Sequence, residues 1–172
     1  MKKILVAAAA MAAFAAATPA AAQSATGANP KANANARLIK PLTLTAIRDL
    51  NFGTIVLGTL TANETVSVSG AGVVTCGGGV NLTCTGSPTS AGYRITGTQG
   101  QTVQISSAAA SFPLTGSNGG TLNLVPSFPT SLVLGNSGAP GNDFSVGGSV
   151  VITSTTPDGV YSGQIDIQVA YQ

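Results

Sequence analysis

Apolar residues in this chain recur at every second position, in short runs separated by turn-forming residues. Successive side chains of a strand point to opposite faces, so a run of this kind buries one face and wets the other. The pattern appears near Phe52–Leu57, Glu64–Ser69, Tyr93–Thr98, Thr102–Ser106, Thr121–Val125, Ser131–Leu134, Phe144–Val146 and Ser149–Thr153, and last over Gly159–Tyr171. Gln99-Gly100-Gln101 is a modest breaker, while Ser117-Asn118-Gly119-Gly120, Gly135-Asn136-Ser137-Gly138 and Pro157-Asp158-Gly159 are strong ones. Beyond residue 22 no stretch sustains a 3.6-residue period over three turns. Eight or more short strands joined by loops predict an all-β sandwich or barrel. No internal repeat is found.

The N-terminus reads differently. Met1-Lys2-Lys3 is a short basic start, Ile4 to Ala17 is nearly unbroken apolar sequence, and Ala20-Ala21-Ala22 is a small-residue cleavage site. Residues 1–22 are therefore expected to be a secretory signal. Gln23 to Lys31, with Pro30, is expected to be a flexible lead-in. The domain is expected over 32–172. Its first run places Ala32, Ala34, Ala36, Leu38, Leu42 and Leu44 on one parity, interrupted by Lys40. This run at 32–44 suits a first strand of the same sandwich and equally a strand donated to a neighbour. The signal's apolar run is too short for a membrane span, and nothing downstream approaches about 18 continuous apolar residues. An integral membrane protein is not expected.

Signal removal also corrects the charge. Lys2 and Lys3 leave, so Lys31, Arg37, Lys40, Arg48 and Arg94 face Asp49, Glu64, Asp143, Asp158 and Asp166 in even balance. Such a neutral, sparsely charged surface offers no footprint for nucleic acid or an anionic membrane. Near-zero net charge favours self-association.

The chain has two cysteines and no histidine. In an exported protein the lone pair Cys76 and Cys84 is expected to form a disulfide around a short loop. A redox or metal pair is disfavoured, because seven residues separate the thiols and no imidazole is at hand. Without histidine, the usual general base of Ser and Cys hydrolases is missing. Both lysines that could partner a serine, Lys31 and Lys40, lie near the N-terminus. The carboxylates are scattered singly and read as solvated surface acids rather than a glycosidase pair. Gly77–Gly79 lacks the lysine and helix start of a phosphate loop. Asn63-Glu64-Thr65 and Asn81-Leu82-Thr83 match a glycosylation pattern that a Thr-rich chain produces by chance. No enzyme, cofactor or metal site is expected.

At the C-terminus, Tyr161, Gly163, Ile165, Ile167, Val169 and Tyr171 share one face, with Ser162, Gln164, Asp166, Gln168 and Ala170 on the other. The pattern alone predicts a last strand with one buried face. A glycine fourteenth from the end (Gly159), alternating apolar residues and a penultimate aromatic (Tyr171) resemble the ending of chaperone–usher pilins. Asp49-Leu50-Asn51-Phe52-Gly53-Thr54-Ile55 resembles the L-x-F-G element of their spore-coat-U-like branch. These features, with Arg37-Leu38-Ile39-Lys40-Pro41-Leu42-Thr43-Leu44 and Phe144-Ser145-Val146-Gly147-Gly148, look closer still to the family of domain of unknown function 4402, exported proteins of Gram-negative bacteria.

The resemblance implies an immunoglobulin-like (pilin-like) β-sandwich that a donor strand can complete. It implies an exported structural subunit of a surface fibre or coat, passing through the periplasm to the cell surface or medium. Its implied partners are a periplasmic chaperone, an outer-membrane usher, and copies of itself or related subunits. The alternative is a self-contained cell-surface sandwich for binding or adhesion. The sequence departs from the family in its alanine knobs, in Lys40, and in lacking the cysteine that often follows the donor strand of the spore-coat-U branch.

Overall fold

Alternation along the chain becomes thirteen strands, all antiparallel, in a computed structural model that describes residues 25–78 and 81–172; no helix occurs among the described residues. The expected signal at 1–22 lies outside them. Chain order is β1 (Thr43–Arg48), β2 (Thr54–Leu57), β3 (Glu64–Val68), β4 (Val74–Cys76), β5 (Leu82–Thr85), β6 (Ala91–Thr96) and β7 (Thr102–Ser107). There follow β8 (Phe112–Gly116), β9 (Thr121–Ser127), β10 (Ser131–Val133), β11 (Asn142–Ile152), β12 (Tyr161–Ser162) and β13 (Ile167–Tyr171). The largest sheet has the order β1-β6-β11-β9-β8-β12, with β3 pairing both β11 and β4. A second sheet is β10-β7-β13 and a third is β2-β5.

The buried faces meet in two clusters. In the first, Tyr93 and Ile95 of β6 and Phe144 and Val146 of β11 pack against Val103 and Ile105 of β7, Leu134 and Ile167. The second sheet therefore lies across the first as a sandwich layer. The second cluster joins Val66, Leu82, Leu122, Leu124, Val150 and Ile152. Phe144, Val146, Val150 and Ile152 all lie on one parity of β11, so one strand face serves both clusters. The sequence suggested two runs here, split at Gly147-Gly148. Instead β11 continues through the glycines while its partners change, from β6 over Asn142–Val146 to β3 and β9 beyond. A Cβ at Gly147 would collide with the Val68 carbonyl oxygen, and one at Gly148 would meet Leu124 Cδ1 at 2.7 Å. These glycines allow close approach of backbones rather than a turn.

Two expectations need correction. The run over 32–44 does not begin a strand at Ala32, because the ladder starts at Thr43. Ala32, Ala34 and Ala36 are exposed and unpaired within a unit that ends at Arg37, and Leu38 is 87% exposed. Alanine side chains bury too little area to offset the entropy of fixing an extended backbone. Leu42 and Leu44 pack on the first cluster of their own chain, and β1 pairs β6 with Leu44 opposite Ile95. The second correction concerns Gly159–Tyr171, which is two strands on two sheets. β12 pairs β8 and β13 pairs β7. The next partner of this ladder on β8 after Leu114 is Pro113, which has no N–H to extend it, and a Cβ at Gly163 would strike the Pro113 carbonyl oxygen. Gly159, with φ of 148°, sits in the turn before β12.

Cys76 and Cys84 are disulfide-bonded, as expected. The bridge ties β4, on the edge of the large sheet, to β5 and hence to β2. Across β6 and β11, Arg94 donates to both carboxylate oxygens of its register partner Asp143, at 2.6 and 2.7 Å. The hydrogen bonds from Arg94 hold the Asp143 carboxyl below its ordinary pKa.

Two outcomes follow from these links. Replacing both cysteines by serine should lower unfolding free energy in urea by about 2–3 kcal/mol, the loop-closure value for so short a loop. The Arg94–Asp143 contribution should be complete above the ordinary carboxylate range and fade as pH falls through the depressed Asp143 value. A Tm-against-pH series should thus show a shallower acid limb for Asp143→Asn than for the native chain.

Candidate assembly groove

A groove of ≈ 1270 Å³ opens beside the second cluster. Its floor is core: Tyr93 from β6, Leu114 from β8, Leu122 and Leu124 from β9, and Val150 and Ile152 from β11. One wall is the segment from Asp49 to Ile55, leading into β2; the other runs from Thr156 to Asp166 through β12. The volume exceeds the roughly 300–1,000 Å³ of clefts for small molecules.

The walls share an incompleteness. Among the described residues β2 pairs only β5, and β12 pairs only β8, so each presents an unpaired edge. Gly163–Asp166 belongs to no strand, with Ala108 N donating to Asp166 O at 3.0 Å as its tie to β7's end. Leu50 and Ile165 line the groove and pack against both core clusters. There the Tyr93 hydroxyl donates to the Ile165 carbonyl at 3.3 Å, and its ring stacks on Phe144. Burial first, then the Asp166 and Asp49 carboxylates, push the Tyr93 pKa up. Arg48, also in the lining, turns onto the buried Ser90, giving 2.7 Å to its carbonyl and 2.9 Å to its hydroxyl.

The C-terminal residues expected to act together are divided by the groove. Tyr161, Gly163 and Ile165 line it, while Ile167, Val169 and Tyr171 pack on the first cluster. Their parity is as read except at Gly163, which is exposed: Tyr161, Ile165, Ile167, Val169 and Tyr171 are shielded, and the even positions from Ser162 to Ala170 are exposed. The Tyr171 hydroxyl donates to Lys40 O at 2.7 Å and accepts from Thr98 N at 2.8 Å. Lys40 N donates to Thr98 Oγ1 at 2.6 Å, and its Nζ to Ser137 O at 3.2 Å. Lys40, which breaks the apolar parity, is therefore where the chain is fastened to the domain. Gly97 makes room for this junction, since a Cβ there would meet Tyr171 Oη at 2.6 Å and Leu42 and Leu134 at 2.8 Å.

The sequence reading passed over Tyr93 as a groove residue and took Asp49, Asp158 and Asp166 for scattered surface acids. All four line the groove. Asp49 directly precedes the L-N-F-G residues, Asp158 lies in the Pro157-Asp158-Gly159 turn and Asp166 on the polar parity of the C-terminal run, but no local pattern joined the three to one another or to Tyr93. Among the described residues no three His, Cys, Asp or Glu side chains cluster as metal ligands, and no helix is long and apolar enough to cross a membrane.

A family model described as Domain of unknown function (DUF4402) matches residues 42–171. No curated protein and no solved structure matches the chain.

Tyr171→Phe removes a donor and an acceptor at once and leaves the Thr98 amide without its partner. It should cost about 1–3 kcal/mol in urea unfolding. Gln168→Asp, on the exposed parity of the same strand, should stay within about 0.5 kcal/mol of the native chain.

Proposed function

The chain belongs to the family of domain of unknown function 4402, and we propose that it is an exported structural subunit of a surface fibre or coat, assembled by β-strand complementation. The observation that carries this reading is the groove: a floor of core side chains between two strand edges with no partner. An extended segment laid there would gain main-chain hydrogen bonds from both edges and set alternate side chains on the floor. An open edge of this kind invites aggregation. That liability is what a periplasmic chaperone would cover before an outer-membrane usher passes the subunit on. The expected signal at 1–22 supplies export.

The alternative, a self-contained surface module for binding or adhesion, is favoured by one observation: Leu42 and Leu44 are used within their own chain. On that reading the groove never receives a strand.

Amide hydrogen exchange separates the two. In material assembled at the cell surface, the amides of Thr54–Leu57 and Gly163–Asp166 should be protected at least about tenfold more than in the isolated subunit. Equal exchange in both would remove strand complementation and leave the surface module.

A further inference from the structure

Basic residues are distributed unevenly between the domain and the segment ahead of it. Beyond Pro41 the chain carries two, Arg48 and Arg94. Arg94 lies in β6, laddered to β1 on one side and β11 on the other, and is clamped to Asp143. Arg48 is paired with Gly92 at the end of β1 and gives its guanidinium to Ser90. Two residues on, Leu50 packs on both core clusters. With both arginines in strands, every loop of the domain is free of Lys and Arg. Lys40 is guarded in another way. Its carbonyl and amide are held by Tyr171 and Thr98, and the bond that follows leads into Pro41, which has no N–H. Proteases that cut after Lys or Arg do not cut ahead of proline.

The segment ahead is the reverse. Residues 25–41 are all exposed, and among the described residues 31–39 make no hydrogen bond. Lys31 and Arg37 stand in this stretch. A protease takes up its substrate as an added strand, several residues to either side of the bond, and so requires backbone with no ladder of its own. Residues 35–39 meet that need around Arg37. Leu38 is 87% exposed, and the compact unit Leu38–Gln172 begins directly after Arg37.

We infer that the Arg37–Leu38 bond is a cleavage site at which a trypsin-class protease, one that requires Arg or Lys ahead of the bond, releases the folded domain. Water adds across this amide: the Arg37 carbonyl becomes a carboxylate, and Leu38 keeps the nitrogen as a new terminal ammonium. The Lys31–Ala32 bond is a second exposed site, and cutting it first leads to the same end product. The distribution of alanine fixes the protease class. An enzyme that cuts after small residues would meet Ala32, Ala34 and Ala36, but equally the exposed Ala108, Ala109 and Ala110 between β7 and β8, and would nick the domain. A basic-residue protease finds no such loop. Its cut also changes the charge. Lys40, Arg48 and Arg94 remain against five acids, so a neutral chain becomes a domain of net charge −2 that self-associates less readily. Release of this kind is open to a fibre subunit and to a free-standing module alike.

The test treats the full exported chain with trypsin under native conditions, with elastase in parallel, and follows both by intact mass. Trypsin should give a short-lived species starting at Ala32 and a lasting one, Leu38–Gln172. The cut after Arg37 should run at least about 100-fold faster than any cut after Arg48 or Arg94, because those bonds open only with their ladders. The lasting product should keep the circular dichroism of the native chain and bind an anion exchanger more tightly. In Arg37→Gln, an exposed change outside every ladder, digestion should stop at the species starting at Ala32. Elastase should nick the chain between β7 and β8 as well as within the segment. An uncut Arg37–Leu38 bond, cuts after Arg48 or Arg94 at a comparable rate, or loss of the fold on cleavage each overturns the inference. So does an elastase digest confined to the segment, since the basic residues would then no longer single out the protease class.

Discussion

Both cores of this protein depend on a single strand face. Phe144 and Val146 of β11 enter one cluster, Val150 and Ile152 the other. Between them Gly147 and Gly148 let Val68, Leu124 and Leu50 approach bare backbone. A side chain at either glycine would push β3 or β9 away and separate the clusters. The order of the large sheet, with β6 on one stretch of β11 and β3 and β9 on the other, is a consequence of that close approach.

The groove follows from how the remaining elements are attached. The β2–β5 pair belongs to neither larger sheet, and its covalent tie to them is the Cys76–Cys84 bridge. On the far side the chain leaves β8 at Pro113 and crosses to β7, taking Gly163–Asp166 out of any ladder. Each wall has a reason for its free edge. Between them lies a packed floor flanked by two strand edges that have no partner among the described residues.

Much of the fold was legible because period-2 alternation is local. Glu64–Val68, Thr102–Ser107 and Thr121–Ser127 lie close to where the pattern put them, and so does the shielded parity of the C-terminus. Three strands were passed over: Val74–Cys76 and Leu82–Thr85 are only three and four residues long, and Phe112–Gly116 contains a proline. Alternation overreached at Ala32–Ala36, where parity is right but the side chains are too small to hold a ladder. The break at Gly163 was invisible, because its cause, Pro113, lies fifty residues away in sequence. The disulfide was readable from the cysteine count together with the expectation of export. The shared location of Asp49, Asp158 and Asp166 was not, since they come to line one groove only after the chain folds.

The fastening of Lys40 by Tyr171 also has a mechanical side. Any pull on the segment ahead of the domain enters at Lys40, whose carbonyl and amide are both held, by the Tyr171 hydroxyl and by Thr98. Beyond that point the force runs along the axis of β1, whose ladder bonds to β6 lie across the strand. Tension therefore shears the ladder as a block instead of peeling it one bond at a time. Held at its carbonyl by Tyr171 and at its amide by Thr98, Lys40 takes up such a pull before it reaches the first pair of the β1 ladder.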